Sequence, residues 1–180
     1  AAYGLGTLYA FEGKNDKALD AYKKALAWTP SNADPYEAEG DAYTALGQAD
    51  LAAKAYAQAA SATQDRPAAA ANRCWTRALR GAALDRAVAD CTAALRDRPD
   101  WWDAMVARAL AYERMGKHDD AIADCNAVLT NRPRNADALF IRGLAETAKG
   151  NVAGAADLAA AKDGDYRIAE KMALYGVKAP

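Results

Sequence analysis

Gly13, Gly47, Gly81, Gly116 and Gly150 are spaced 34, 34, 35 and 34 residues apart in a chain of 180. A fixed period of this length is the mark of stacked supersecondary units, each too small to bury its own apolar face. Each glycine ends one helical pattern and precedes the next, where a tight or left-handed turn is needed. Five residues later come Ala18, Ala52, Ala121 and Ala155; in the third copy the interval is six, giving Ala87, so the turn after Gly81 holds one extra residue. The second helix of most copies is stopped by proline, at Pro30, Pro99 and Pro133, which lacks the next backbone donor. The second copy has Gln64 in that slot, and Pro67 follows at the first turn of the next helix, where proline is tolerated.

The same period settles how to read the densest cluster of reactive side chains. His118, Asp119, Asp120, Asp124 and Cys125 fall within eight residues. Yet residues 87–99, AVADCTAALRDRP, and 121–133, AIADCNAVLTNRP, share eight of thirteen positions. A catalytic cluster has no reason to recur at the repeat length. His118 occupies the slot of Ala49 and Val152, and it is the single histidine of the chain, so no second imidazole exists to share a metal. It reads as a packing or rim residue. Cys91 and Cys125 are one position in two copies, and with Cys74 they lie on apolar helix faces without metal-ligand spacing. Buried free thiols are expected. Arg73, Arg108 and Arg142 recur in the first helix, and Asp90 and Asp124 in the second, as structural ion pairs within each repeat.

Leu5-Gly6-x2-Tyr9, Ala18-x3-Tyr22 and Pro30 form one pattern; Tyr36-x2-Glu39-Gly40-x2-Tyr43 with Ala52-x3-Tyr56 forms the second. Tyr112, Ala121-x3-Cys125 and Pro133 give the fourth, while the third and fifth place Cys74 and Gly143 in the small-residue slot. The pattern resembles the tetratricopeptide repeat (TPR) family over nearly the whole chain. The resemblance implies an all-α fold: helix-turn-helix repeats stacked in a right-handed superhelical solenoid. The expected layout is one domain over 1–180, with repeats at 1–32, 33–66, 67–101, 102–135 and 136–163. A helix at 165–175 caps the end, with Ile168, Met172 and Tyr175 on one face and Asp165 at its start.

In the family the first helix of each repeat lines a concave surface. Carried over, the inner slots are Tyr3, Glu37, Ala71, Val106 and Phe140, then, one turn on, Thr7, Asp41, Trp75, Leu110 and Leu144. Asp34, Glu37 and Asp41 make the early part of this groove acidic and, past Asn72, Trp75, Val106, Leu110, Phe140 and Leu144 make the later part apolar. These apolar side chains could instead pack against neighbouring helices, and the terminal helix is near enough to cover Phe140 and Leu144. Trp101 and Trp102 read as packing at a repeat junction. The family's clamp for chaperone C-terminal carboxylates needs Lys and Asn, then Lys and Arg. Here Glu37, Asp41, Asn72, Asp103 and Ala107 stand in the corresponding slots, and only Asn72 fits.

The implied function is a non-catalytic scaffold that binds a peptide or helix of a protein partner, apolar with a basic flank. The alternative is an assembly module acting mainly through weak self-association. No catalytic residue, metal site or cofactor is expected. A net charge of −1 supplies no field for a phosphate backbone, so nucleic acid is not expected either. No apolar run reaches membrane-span length. The chain opens inside a helical pattern, so its native N-terminus is expected upstream. The compartment stays open between cytoplasmic and, with a removed signal peptide, exported.

Overall fold

The computed structural model describes residues 1–62, 67–174 and 176–179, leaving aside the side chains of 67–69. Gln64 and Tyr175 lie outside the described residues. The described chain is helical: α1 Ala2–Phe11, α2 Asn15–Trp28, α3 Ala33–Ala45, α4 Ala49–Ser61, α5 Pro67–Arg80, α6 Leu84–Asp97, α7 Trp102–Arg114, α8 His118–Asn131, α9 Ala136–Ala148, α10 Ala153–Gly164 and α11 Ile168–Ala173. The chain divides into two compact units, Ala1–Ala69 and Ala70–Pro180. In the first, α1 packs on α2, α3 on α4, and α2 on α3. In the second, α6 packs on α7, α7 on α8, α8 on α9, and α9 on α10.

Each periodic glycine sits at a positive φ, between 65° and 76°, where a side chain at Cβ is strained. The third turn carries its extra residue as expected. That residue is accommodated by Ala83, whose φ of 49° puts an L side chain in left-handed geometry. The fifth turn differs in the other direction. Gly154, four residues after Gly150, is buried, while Ala155 is exposed. A Cβ on Gly154 would lie 2.7 Å from the Gly143 carbonyl oxygen. The small slot of the fifth repeat is therefore Gly154 rather than Ala155, and everything beyond it shifts by one position.

Within each repeat one small residue of the first helix faces one larger residue of the second. A Cβ on Gly6 would lie 2.4 Å from the Tyr22 ring, one on Gly40 2.3 Å from Tyr56, and one on Gly143 2.8 Å from Leu158. This close approach is what lets the two helices of a pair interlock. By register the same facing slots hold Cys74 and Cys91 in the third repeat, and Ala109 and Cys125 in the fourth. Cys74 and Cys91 are joined by a disulfide, with Cα atoms 5.5 Å apart. The expectation of three free thiols is corrected for these two. Cys125 alone is free; it is buried, and burial pushes its thiol up to about 12.

Polar pairs recur in the second unit. Asp90 on α6 accepts from Arg73 at 3.3 Å and from Arg77, both on α5. Arg108 on α7 grips Asp124 on α8 through two bonds of 2.8 Å and donates to Thr92 on α6 at 3.2 Å. Arg142 on α9 repeats this with Asp157 on α10, at 2.6 and 2.8 Å, and with Asn126 on α8 at 2.7 Å. The arginines thus reach across the repeat boundary as well as within it. Bidentate geometry of this kind satisfies a half-buried guanidinium and its carboxylate together.

The terminal helix is shorter than expected. It begins at Ile168, because Asp165 uses its carboxylate to accept from the Arg167 backbone at 3.0 Å and to hold Lys171. Ile168, Met172 and Val177 are buried in the second unit's core, and α11 packs on α9 and α10. Leu174 and Tyr166 stay exposed.

Candidate functional site

The first helices α5, α7 and α9 bring their N-terminal halves around a cavity of about 350 Å³. Asn72 and Trp75 come from α5, Asp103 and Val106 from α7, and Asp137 from α9; Trp101 and Asn135 stand at the helix starts. Asn135 is fixed there because its side chain accepts from the Ala138 backbone at 2.8 Å, capping α9. Asp103 and Asp137 fall in the first turns of α7 and α9, where the helix dipole favours a carboxylate. Neither makes a hydrogen bond or ion pair among the described residues. Burial raises the Asp137 carboxyl above its ordinary value; Lys171 opposes that rise, and Asp165 and Asp103 add to it. Among the described residues the cavity wall contains no lysine or arginine.

The residues expected to form the groove divide sharply. Asn72 is exposed, Trp75 is half-buried, and both line the cavity with Val106. Leu110 is 0% exposed, Phe140 2% and Leu144 6%, all in the core. The apolar ladder therefore does not run along a solvent face: beyond Trp75 it turns inward as packing, Val106 included at 4% exposed, although Val106 still reaches the cavity wall. The acidic part is corrected as well. Asp34 is half-buried, but Glu37 and Asp41 are buried, and Asp41 accepts from the Tyr56 hydroxyl at 2.8 Å. These two carboxylates serve the interior of the first unit rather than an open acidic rim. Tyr3, beside them, has its phenol pushed up to about 12 by burial first and by Asp34 next.

Trp101 and Trp102 pack against the core as expected and carry guanidinium groups on their faces: Arg98 lies 4.4 Å from the Trp101 ring centroid and Arg132 3.8 Å from that of Trp102. Both arginines line a second cavity of about 630 Å³ beside Met105 and Val128. His118 opens α8 half-buried, with its Nδ1 buried and unpartnered. Among the described residues no group of three or more His, Cys, Asp or Glu side chains is placed to hold a metal ion. No described helix is long and apolar enough to cross a membrane.

Tetratricopeptide repeat family models match residues 1–32 and 33–66, and again 76–134 and 106–166. The chain belongs to the tetratricopeptide repeat family. Solved structures of the same fold include MamA, at 22% identity and a TM-score of 0.54, covering 94% of this chain and 92% of that one. YrrB, described as a TPR protein with an unusual peptide-binding site, matches at 20% identity and a TM-score of 0.57, covering 97% and 89%. PilW, described as a type IV pilus biogenesis factor, matches at 19% and 0.63, covering 97% and 81%. No curated protein matches in sequence. At these identities the likeness shows the TPR fold alone.

Asp137, Asn135 and Trp101 were not singled out as groove residues by the sequence. A signal existed: Asp34, Asp103 and Asp137 all stand thirteen residues before a periodic glycine. That slot is the first turn of the first helix, where TPR helices meet the concave side, but an acid there also has an ordinary role at a helix start.

Proposed function

We propose that this TPR chain is a non-catalytic scaffold that holds an extended or helical segment of a partner protein against α5, α7 and α9. The supporting observation is the cavity itself. Every described residue that lines it comes from the first helices, or their start positions, of three successive repeats. Trp75 supplies a broad, half-buried ring of the kind that anchors peptide side chains. Asn72, Trp75 and Val106 remain the proposed binding residues, joined by Asp103 and Asp137.

Dodecapeptides selected from a random displayed library would provide defined ligands for calorimetry. Trp75→Glu should weaken their binding by about tenfold or more, with the helical signal retained. Selected peptides that bind Trp75→Glu as well as the parent chain would overturn the reading.

Self-association keeps one observation in its favour. Leu5, Leu8 and Phe11 form an exposed apolar row along α1. Sedimentation at rising concentration, with Leu8→Glu as the control, separates this reading: a dimer abolished by the substitution would support it, and a monomer throughout would end it.

For the compartment, the Cys74–Cys91 disulfide favours an oxidising one, since reducing cytosol keeps such pairs open. Alkylation of the protein in its native cells, before lysis, should leave one reactive thiol per denatured chain; three would place it in a reducing compartment.

A further inference from the structure

The first-helix cavity differs from the helix-pair interfaces of the second unit in how its carboxylates are treated. Asp90, Asp124 and Asp157 each face an arginine. Among the described residues Asp103 and Asp137 have no such partner, though Asp137 is drawn far enough from water for its carboxyl to be raised by desolvation. Lys171, the cation whose charge opposes the rise at Asp137, is engaged by Asp165. Arg98 lines the other cavity, across Trp101. The site therefore has two anionic oxygen sources, an aromatic wall at Trp75 and an apolar floor at Val106, with no positive charge of its own among the described residues.

We propose that this cavity is a pocket for one cationic side chain, lysine or arginine, of the bound segment. The alkyl stem would lie along Trp75 and Val106, and the ammonium or guanidinium would reach Asp103 and Asp137. Long cationic side chains bury their methylenes on apolar surface while their heads seek charge, and indole faces attract cations as well. A carboxylate ligand is excluded by the same charges, which would be left facing it at short range. This assignment rests on the peptide-binding reading above and adds the chemistry of the residue that sets register.

The test is a double-mutant cycle on a selected dodecapeptide that depends on Trp75. One arm replaces each lysine or arginine of the peptide by norleucine. The other is Asp103→Asn combined with Asp137→Asn, with Asp103→Asn alone as the milder variant should the pair perturb folding. At one basic position, norleucine should cost about tenfold on the parent chain and little on the Asn variant, so the two losses do not add. Trp75-dependent peptides without a basic residue would overturn the pocket and leave the peptide reading standing; so would strictly additive losses. Failure to obtain any Trp75-dependent peptide would remove both.

Discussion

Reducing the Cys74–Cys91 bond should cost the second unit about 3 kcal/mol. The bond closes a segment with a sequence separation of 17. Loop-closure entropy for a ring of that size gives about 3 kcal/mol, by constraining the unfolded chain. Both sulfurs remain on reduction, so no cavity opens and the loss is close to the cross-link alone. Against a domain stability of about 5–15 kcal/mol this is a large fraction. With a urea m-value of about 1–3 kcal/mol/M, the midpoint should fall by about 1–3 M. The assay is urea denaturation followed by circular dichroism, with and without a phosphine reductant. Thiol counts on denatured samples should give one without reductant and three with it. Hydrogen exchange should place the loss of protection mainly in α5 and α6, because repeat arrays couple chiefly to neighbours. A complete change from one thiol to three with an unmoved midpoint would refute the entropic reasoning. Three thiols before reduction would refute the bond.

Ala109→Cys should form a second disulfide with Cys125, since those positions repeat the Cys74 and Cys91 slots; the denatured, oxidised variant should then titrate no free thiol. Ala83→Gly should stabilise the chain by up to about 1 kcal/mol in the same denaturation assay, because the left-handed penalty of about 1–2 kcal/mol exceeds glycine's added unfolded entropy. A lower midpoint would show that Ala83 is held by contacts worth more than its strain. Glu39 is buried without a hydrogen bond among the described residues, and desolvation raises its carboxyl despite Lys23. Its folded form favours the proton, so its contribution is fully present below the ordinary value of 4.5 and is lost as pH rises through the raised one. Glu39→Gln should therefore raise the urea midpoint at pH 7 and match the parent below about pH 4; a gain that persists at low pH would point to packing instead.

The repeat register, the helix pairs and the arginine–aspartate pairs were legible because each is periodic, and periodicity is carried by sequence alone. Asp157 escaped that reading: the fifth turn is one residue shorter on its helical side, so the partner of Arg142 sits one position before the slot of Asp90 and Asp124. The disulfide was within reach. Cys74 stands in the small slot and Cys91 in the slot that faces it, but each was read along its own helix as a small hydrophobe. The groove was legible only in part. Helical phase places Leu110 and Phe140 on the same face as Trp75, and a face of a helix between two neighbours is divided by how deeply each residue sits. That depth depends on α11 and on the tilt between pairs, which no single repeat encodes. Asp103 shows in the sequence only as a misfit to the carboxylate clamp, and Asp137 is concealed by the ordinary role of an acid at a helix start.

The cross-boundary arginines also bear on how the chain yields to force. Arg108 and Arg142 each tie three helices, so pulling one repeat from the next in the second unit must break charged, short-ranged bonds together with apolar contact. In the first unit the matching positions are Leu5 and Glu39, opposite Ala21 and Ala55. Among the described residues these positions form no charged pair of that kind. Within its own unit each of the later repeats should therefore resist extension more than the first two, holding its shape to a higher load and then failing abruptly.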